Sequence, residues 1–299
     1  MNRHFIIGSR GSDLALWQSR YVQSLLIKWG FSSEIKIIQT QGDISAHLSF
    51  DKIEGKGFFT KEIEKALMDR EIDIAVHSHK DLQTSLPDGL MIGALSSRAS
   101  AEDVLLIRPD CFVKDGLFFL GPNPLIGTSS SRRKAQILDL IPSALVHDIR
   151  GNVPRRIEKL RQGDFEAIII AKAGIERLNI SLVGLHEYVF SVEEFVPAPA
   201  QGVLAIQCRN DDEDVKNALS QIHSKDAEEC VWIEREILKL MDGGCHMPIG
   251  VFAEYFDSTF KVRIAYAPEV GIKLRKFIIE GQVPHRLVDN AMEFLKEGK

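Results

Sequence analysis

Two turns in this sequence combine glycine or hydroxyl residues with arginine: Gly8-Ser9-Arg10-Gly11-Ser12 and Gly127-Thr128-Ser129-Ser130-Ser131-Arg132-Arg133. A helix start carries unpaired N–H groups and a partial positive charge, so glycine with Ser or Thr there makes an anion site. Arginine adds a planar fork that pairs with a carboxylate or phosphate through two parallel hydrogen bonds. Neither turn has the Gly-Lys-Ser/Thr of a nucleotide-binding P-loop. For either turn taken alone, N-capping beside solvated arginines explains the residues as well as ligand binding does. More cations stand near loops: Lys52, Lys56, Lys80, Arg150, Arg155, Arg156 and Arg177. Gathered in one place they ask for a ligand with many negative charges, although some of them are ordinary surface residues.

Two further positions have chemical potential. Asp81 closes His77-Ser78-His79-Lys80-Asp81 at the end of an apolar run. A carboxylate beside an ammonium there can manage protons or stabilise a cation, or form a strand-end ion pair. The two histidines at i and i+2 lack a third ligand, so no metal site is expected. Of the four cysteines, Cys245 follows two glycines just past a helix, where a thiol is accessible as nucleophile or attachment point. Cys230 shares an apolar helical stripe with Ala227, Val231, Ile237 and Leu238, which reads as a buried small hydrophobe. Cys111 and Cys208 have no special context. The spacing gives no CxxC pair, hence neither a disulfide framework nor a zinc site.

The elements that must position these residues alternate short apolar strands with amphipathic helices. Phe5-Ile6-Ile7 is a strand, followed by a helix with Leu14, Trp17, Tyr21, Leu25 and Trp29 on one face. Ile35-Lys36-Ile37-Ile38 is a second strand, and Thr60 is the expected N-cap of a helix carrying Ile63, Ala66 and Leu67. Ile72 to Val76 is a third strand. The middle of the chain repeats this grammar around Leu125-Ile126, Leu145-Val146 and residues 167–171, each leading into a polar turn and a helix. Pro197-Ala198-Pro199-Ala200-Gln201-Gly202 is the expected crossover linker. The last part differs: a helix over 227–241, strands over 251–256, 262–266 and 272–279, and a terminal helix over 287–295. The expectation is an α/β protein of two similar lobes plus a small C-terminal α+β domain. If the lobes face each other, strand C-termini point into the crevice where such folds bind ligands.

Composition fits that picture. The 299 residues carry 37 Lys+Arg against 42 Asp+Glu, a net charge of −5, with 44% hydrophobic residues. A chain of this length buries about three quarters of its unfolded surface and needs no staple. The acidic balance argues against a whole surface built for nucleic acid, and no aromatics interleave with the Arg-Arg turn. A basic patch on an acidic chain would steer an anionic ligand to one place. No apolar run approaches the roughly 20 residues of a membrane span. The first residues turn polar too soon for a signal-peptide core, so a cytoplasmic, reduced protein is expected. At this point a non-catalytic, two-lobed carboxylate-binding protein and an enzyme both remain open.

In order along the chain, these segments resemble the porphobilinogen deaminase (hydroxymethylbilane synthase) family. The resemblance rests on Gly8-Ser9-Arg10-Gly11-Ser12 with Leu14-Ala15-Leu16-Trp17-Gln18, on Gly55-Lys56-Gly57-Phe58-Phe59, and on Asp73-Ile74-Ala75-Val76-His77-Ser78 with Lys80-Asp81. It continues through Gly127-Thr128-Ser129-Ser130 with Arg132-Arg133, Arg150-Gly151-Asn152-Val153, Ala200-Gln201-Gly202, and Gly243-Gly244-Cys245 with Pro248-Ile249-Gly250. It runs from Ile6 to about Gly250. Departures include His79 for a common Met, Gln83 for Pro, Ser131 for Leu, Pro154-Arg155 for Gly-Thr and His246-Met247 for Gln-Val. None removes a group the chemistry requires.

The resemblance implies two lobes like those of periplasmic binding proteins, 1–98 with 198–219 and 99–197, and a third domain over 220–299. It implies a transferase that condenses four porphobilinogen molecules into hydroxymethylbilane on a dipyrromethane cofactor. The cofactor is held by a thioether to Cys245 and stays with the enzyme as primer. Substrate loses ammonia to give an azafulvene cation, which the free α-carbon of the terminal pyrrole attacks; hydrolysis releases the tetrapyrrole. Asp81 is then the catalytic carboxylate at the pyrrole N–H. Every ring carries an acetate and a propionate, so six rings crowd twelve carboxylates together and need Arg10, Arg132, Arg133, Arg150, Arg156 and Arg177. Ser12, Ser78, Thr128, Ser129 and Ser130 add donors, and Lys52, Lys56 and Lys80 add charge. The matched motifs also place Gln18, Phe58, Gly151, Asn152 and Gln201 among the cofactor- or substrate-binding residues. No metal, nucleic-acid, membrane or obligate protein partner is implied, and a monomer is expected.

Overall fold

A computed structural model describes residues 3–40, 60–242 and 247–296. In chain order, β1 (His4–Ser9), α1 (Asp13–Lys28), β2 (Ser32–Ile37), α2 (Lys61–Met68), β3 (Ile74–Ser78) and β4 (Leu90–Leu95) come first. Next are β5 (Asp103–Ile107), β6 (Leu125–Gly127), α3 (Ser131–Leu140), β7 (Leu145–His147), α4 (Val153–Gln162), β8 (Ala167–Ala171), α5 (Lys172–Leu178) and β9 (His186–Val189). The chain ends with β10 (Leu204–Arg209), α6 (Glu213–Ser220), α7 (Lys225–Leu240), β11 (Ile249–Phe256), β12 (Thr259–Tyr266), β13 (Arg275–Gly281) and α8 (Pro284–Lys296). Contacts divide it into two compact units, residues 1–99 with 202–228 and residues 100–201 with 229–299.

Each unit contains a five-stranded mixed sheet, and the two sheets have one topology. In the first the order is β2-β1-β3-β10-β4; in the second it is β7-β6-β8-β5-β9. The first three strands are parallel and the fourth runs antiparallel to its neighbours in both. The fourth strand is in each case the first strand after a crossover: β10 follows the second sheet's last strand, and β5 follows β4. These are two α/β lobes built to one plan, as expected. Their cores are apolar. Phe5, Ile7, Val22, Leu26, Ile74 and Ile206 fill the α1 face of lobe 1, and Leu105, Ile107, Ile126, Ile137, Ile169 and Phe190 fill the α3 face of lobe 2.

The C-terminal part of the second unit is the antiparallel sheet β11-β12-β13 with α7 and α8 over it. Ile233, Ile237, Val251, Ile264, Val288 and Leu295 pack there, and Cys230 joins that core. Lobe 2 meets this sheet through Ala101, Ala135, Val196, Phe252 and Ala265. Glu234, fully buried on α7, accepts hydrogen bonds from Ala200 N (2.6 Å) and Ala253 N (2.8 Å), so one carboxylate ties the crossover segment to β11.

Some local expectations need correction. The buried stripe of α1 is Gln18, Ser19, Val22 and Leu26, whereas Trp17, Tyr21 and Leu25 are half-buried and Trp29 is 57% exposed. The large side chains border the seam instead of filling it: Trp17 and Tyr21 stack on each other with centroids 5.5 Å apart. Thr60 stands at the N-cap of α2 without capping it, because its hydroxyl turns to Glu64 Oε2 at 3.4 Å. The third C-terminal strand begins at Arg275 and not at Ile272, which lies in a turn and is 54% exposed.

Candidate functional site

In lobe 1 the expected residues gather at the C-terminal ends of the parallel strands. Ser9 ends β1 fully buried, and its hydroxyl donates to Arg10 O at 2.9 Å. Ser12 then caps α1, accepting from Ala15 N at 3.4 Å. Gln18, one turn along the same helix, donates through Nε2 to Ser78 Oγ at 2.8 Å and so fixes the end of β3 to α1. After Ser78 the chain makes a single 3-10 turn, His79–Asp81, held by His79 N donating to Val203 O (3.0 Å). His79 therefore leaves the strand and does not share a face with His77. Arg10, Ser12, Ser78 and Lys80 are half-buried, and Asp81 is exposed.

Behind this edge lies a buried polar track. His77 Nε2 meets Gln207 Oε1 at 3.0 Å, and Gln207 Nε2 donates to Glu64 Oε1 at 3.3 Å. Burial, aided by the positive charge of Arg10, pushes the His77 imidazole down to about 4, although the hydrogen bond to Gln207 opposes this. His77 is thus a neutral ring at neutral pH. Among the described residues there is no cluster of three metal-ligating side chains.

Lobe 2 places its set at the matching edge. Thr128 is fully buried, with its N–H donating to His147 O (2.9 Å). Ser129 Oγ donates to Ile149 O (2.8 Å), and Ser130 caps α3, accepting from Arg133 N at 3.4 Å. Arg132 and Arg133 follow in the first turn of α3, which has no acidic residue. Cations at a helix start oppose the helix dipole, so this turn is built electropositive. Both guanidiniums, 5% and 6% exposed, converge on Asp103, which is fully buried at the start of β5. Arg133 donates to Asp103 Oδ1 from Nε (3.1 Å) and Nη2 (2.7 Å), and Arg132 Nη1 pairs with Oδ2 at 2.7 Å. Burial pulls the Arg132 guanidinium below its ordinary value, opposed by Asp103 and reinforced by Arg133.

The next turn is braced from within. Gly151 has φ +113°, a conformation L side chains rarely adopt. Asn152 caps α4, accepting from Arg155 N (3.1 Å), and Arg156 Nε donates to Gly151 O (2.7 Å). Arg150, Arg156 and Arg177 are half-buried, with Arg177 in the last turn of α5. Gln201 is buried, donating to Ala101 O (2.6 Å) and Asp103 Oδ1 (3.2 Å). Lys52, Lys56, Phe58 and Cys245 lie outside the described residues. The sequence reading missed Asp103, which is visible there only as an acidic residue directly before the apolar run Val104-Leu105-Leu106-Ile107.

Each lobe thus carries hydroxyl, amide and guanidinium groups at the C-terminal ends of its parallel strands, a donor chemistry that suits carboxylate groups such as the acetates and propionates of a pyrrole chain. Residues 5–217 match the model of the porphobilinogen deaminase dipyrromethane-cofactor-binding domain, and residues 228–280 match that of the porphobilinogen deaminase C-terminal domain. Porphobilinogen deaminase of Geobacillus kaustophilus is 38% identical over 297 residues, covering 99% of this chain and 94% of the relative. That of Oceanobacillus iheyensis is 40% identical over 296 residues, covering 98% and 94%. Among solved structures, the periplasmic VFT2 domain of Bordetella pertussis BvgS aligns with TM-score 0.43 at 14% identity, over 73% of this chain and 86% of that one. The chain belongs to the porphobilinogen deaminase family. It is accordingly an enzyme, a transferase that deaminates and condenses porphobilinogen in tetrapyrrole biosynthesis with a dipyrromethane cofactor, and not a non-catalytic carboxylate binder. No helix among the described residues is long and apolar enough to cross a membrane.

Proposed function

We propose that this chain joins four porphobilinogen molecules head to tail into hydroxymethylbilane, on a dipyrromethane primer held through a thioether to Cys245. The primer, when bound, supplies a nucleophilic pyrrole carbon; a thioether survives acid–base steps, so the primer outlasts turnover. Asp81 takes and returns the proton at the substrate's pyrrole nitrogen, and its carboxylate stabilises the positive charge that develops as ammonia leaves. Being exposed on a braced turn, it is open to a ligand while its backbone stays fixed. Arg10, Lys80, Arg132, Arg133, Arg150, Arg156 and Arg177 hold the acetate and propionate groups, together with Lys52 and Lys56. Ser12, Ser78, Thr128, Ser129, Ser130 and Asn152 donate to the same carboxylates, Gly151 gives its backbone close approach, and Gln18, Phe58 and Gln201 shape the site. The division into 1–98 with 198–219, 99–197 and 220–299 assigns these roles to two ligand-holding lobes and a primer-carrying domain. The enzyme works as a cytoplasmic monomer.

The observation that carries this reading is the electropositive turn of lobe 2, where two arginines occupy the first turn of α3 beside Thr128 and Ser130. A site so charged fits ligands that bring several carboxylates at once. The test is stoichiometric. Incubation with porphobilinogen is expected to release one ammonia per substrate consumed and to yield the mass of a linear tetrapyrrole. Substrate binding without ammonia release would contradict the reading.

A further inference from the structure

The buried cluster in lobe 2 holds two guanidiniums and one carboxylate. Asp103 Oδ1 receives Arg133 through two N–H groups and Gln201 through a third, while Oδ2 faces Arg132. Each arginine has one further fixed contact: Arg132 Nη1 donates to Val196 O (2.9 Å) and Arg133 Nη1 to Ile169 O (3.1 Å). Arg132 also lies over the Phe195 ring, 5.7 Å from its centroid. With one carboxylate for two guanidiniums, the cluster retains one positive charge in a dry environment next to the donors of Thr128 and Ser130. Charge that is both unbalanced and immobile is what an incoming carboxylate needs, since long arginine side chains otherwise lose rotamer freedom on binding.

The register explains how Asp103 reaches this place. It pairs with Ala171, the last residue of β8, so it sits at the strand-end edge of the sheet. The matching position in lobe 1, opposite Ser78 at the end of β3, is Leu204. The shared plan therefore does not demand an acid here.

We infer that Asp103 is a positioning residue for the condensation: it orients Arg132 and Arg133 and limits their combined charge to one, so that a ligand carboxylate completes the cluster. This rests on the proposed role of the two arginines as carboxylate holders. Asp103 itself touches no substrate.

The experiment measures KM and kcat for porphobilinogen on cofactor-loaded protein, with fold checked by circular dichroism and melting. Asp103→Asn is expected to raise KM about 10–100-fold, the worth of one to two charge-assisted hydrogen bonds, with a smaller change in kcat. Because removing a buried charge can unfold the lobe, Asp103→Glu serves as the second variant. It keeps the charge, displaces both guanidiniums by one methylene, and is expected to raise KM several-fold with the fold intact. A melting temperature that falls while KM stays at the wild-type value, in whichever variant folds, would overturn the positioning role. Arg132→Gln and Arg133→Gln measured alongside separate the two ideas. If they keep wild-type KM, the arginines hold no substrate carboxylate and the underlying reading fails; if they raise KM and the Asp103 variants do not, only the inference fails.

Discussion

The two lobes share strand order, strand direction and the capped turn after the first parallel strand, yet they bury their charges at opposite edges. In lobe 1 the cluster is Arg3, Asp73, Arg209 and Asp212. Arg3 reaches Asp73 (2.6 Å) and Asp212 (2.7 Å), and Arg209 reaches the same two carboxylates at 2.9 and 2.7 Å. These residues stand where β1 and β3 begin and β10 ends, away from the Ser9–Ser12 turn. Two buried acids pair with the two arginines there, and exposed Asp214 lies 3.8 Å from Arg3 as well. In lobe 2 the cluster lies at the strand-end edge, with one acid for two arginines. The first network ties strand ends together far from the turn; the second stands beside the turn that the proposed function assigns to ligand carboxylates. Beneath its own turn, lobe 1 instead has the track of His77, Gln207 and Glu64 and the Gln18–Ser78 pair, while Arg10 and Lys80 are half-buried and Asp81 is exposed.

The largest expected effect separates the two kinds of arginine. Arg133→Gln leaves Asp103 short of a buried partner and should cost about 3–5 kcal/mol of stability in addition to substrate affinity. Arg10→Gln should cost under about 1 kcal/mol, because the side chain is half-buried and stays within reach of water, unlike the enclosed Arg133. Chemical denaturation of both variants checks this, and equal losses would erase the distinction between the lobes. Next comes Asp81→Ala, expected to lower turnover about 10²–10³-fold with the melting temperature unchanged. Near-normal turnover would remove the exposed carboxylate of lobe 1 from its role.

A smaller effect follows from the buried His77 of lobe 1. The folded value of His77 is near 4, below its ordinary 6.5, so between those limits the unfolded chain binds a proton that the folded one refuses. This contribution is whole above pH 6.5 and falls away as pH drops toward 4. Asp212 acts lower down. Burial raises its value, but the hydrogen bonds from Arg3 and Arg209 outweigh that and hold it to about 2, so its contribution is present above pH 3.8 and is lost between 3.8 and 2. Melting curves across pH 7 to 2 should show both windows. His77→Gln should flatten only the upper one, and a variant that melts like wild type from pH 6.5 to 4 would show that the ring is already charged.

How much of this was legible in the sequence depended on whether the signal was local. The turns after β1 and β6 could be read because glycine, hydroxyl and arginine residues follow short apolar runs and open helices, and each of these is a neighbour effect. Cys230 could be read as core from its helical stripe. Helical spacing puts Leu14, Trp17, Tyr21, Leu25 and Trp29 on one face of α1 but does not say which face is buried; Gln18 is buried where it meets Ser78 at the end of β3, a partner 60 residues away. Asp103 was missed for the same reason. One acid before four apolar residues says nothing about which arginines the fold will bring to it, 30 residues further on. Likewise the crossover placed β5 and β10 in the fourth position of each sheet, a long-range pairing that no periodicity encodes.

The central claim, that the enzyme extends a primer tethered to sulfur, is tested most directly by the intact mass of the purified, cofactor-reconstituted protein. The expected mass exceeds that of the polypeptide by a dipyrromethane unit, the excess survives denaturation, maps to the peptide containing Cys245, and vanishes in Cys245→Ser along with turnover. A polypeptide of unmodified mass that still turns over porphobilinogen, or a Cys245→Ser variant that makes tetrapyrrole at the wild-type rate, would contradict it.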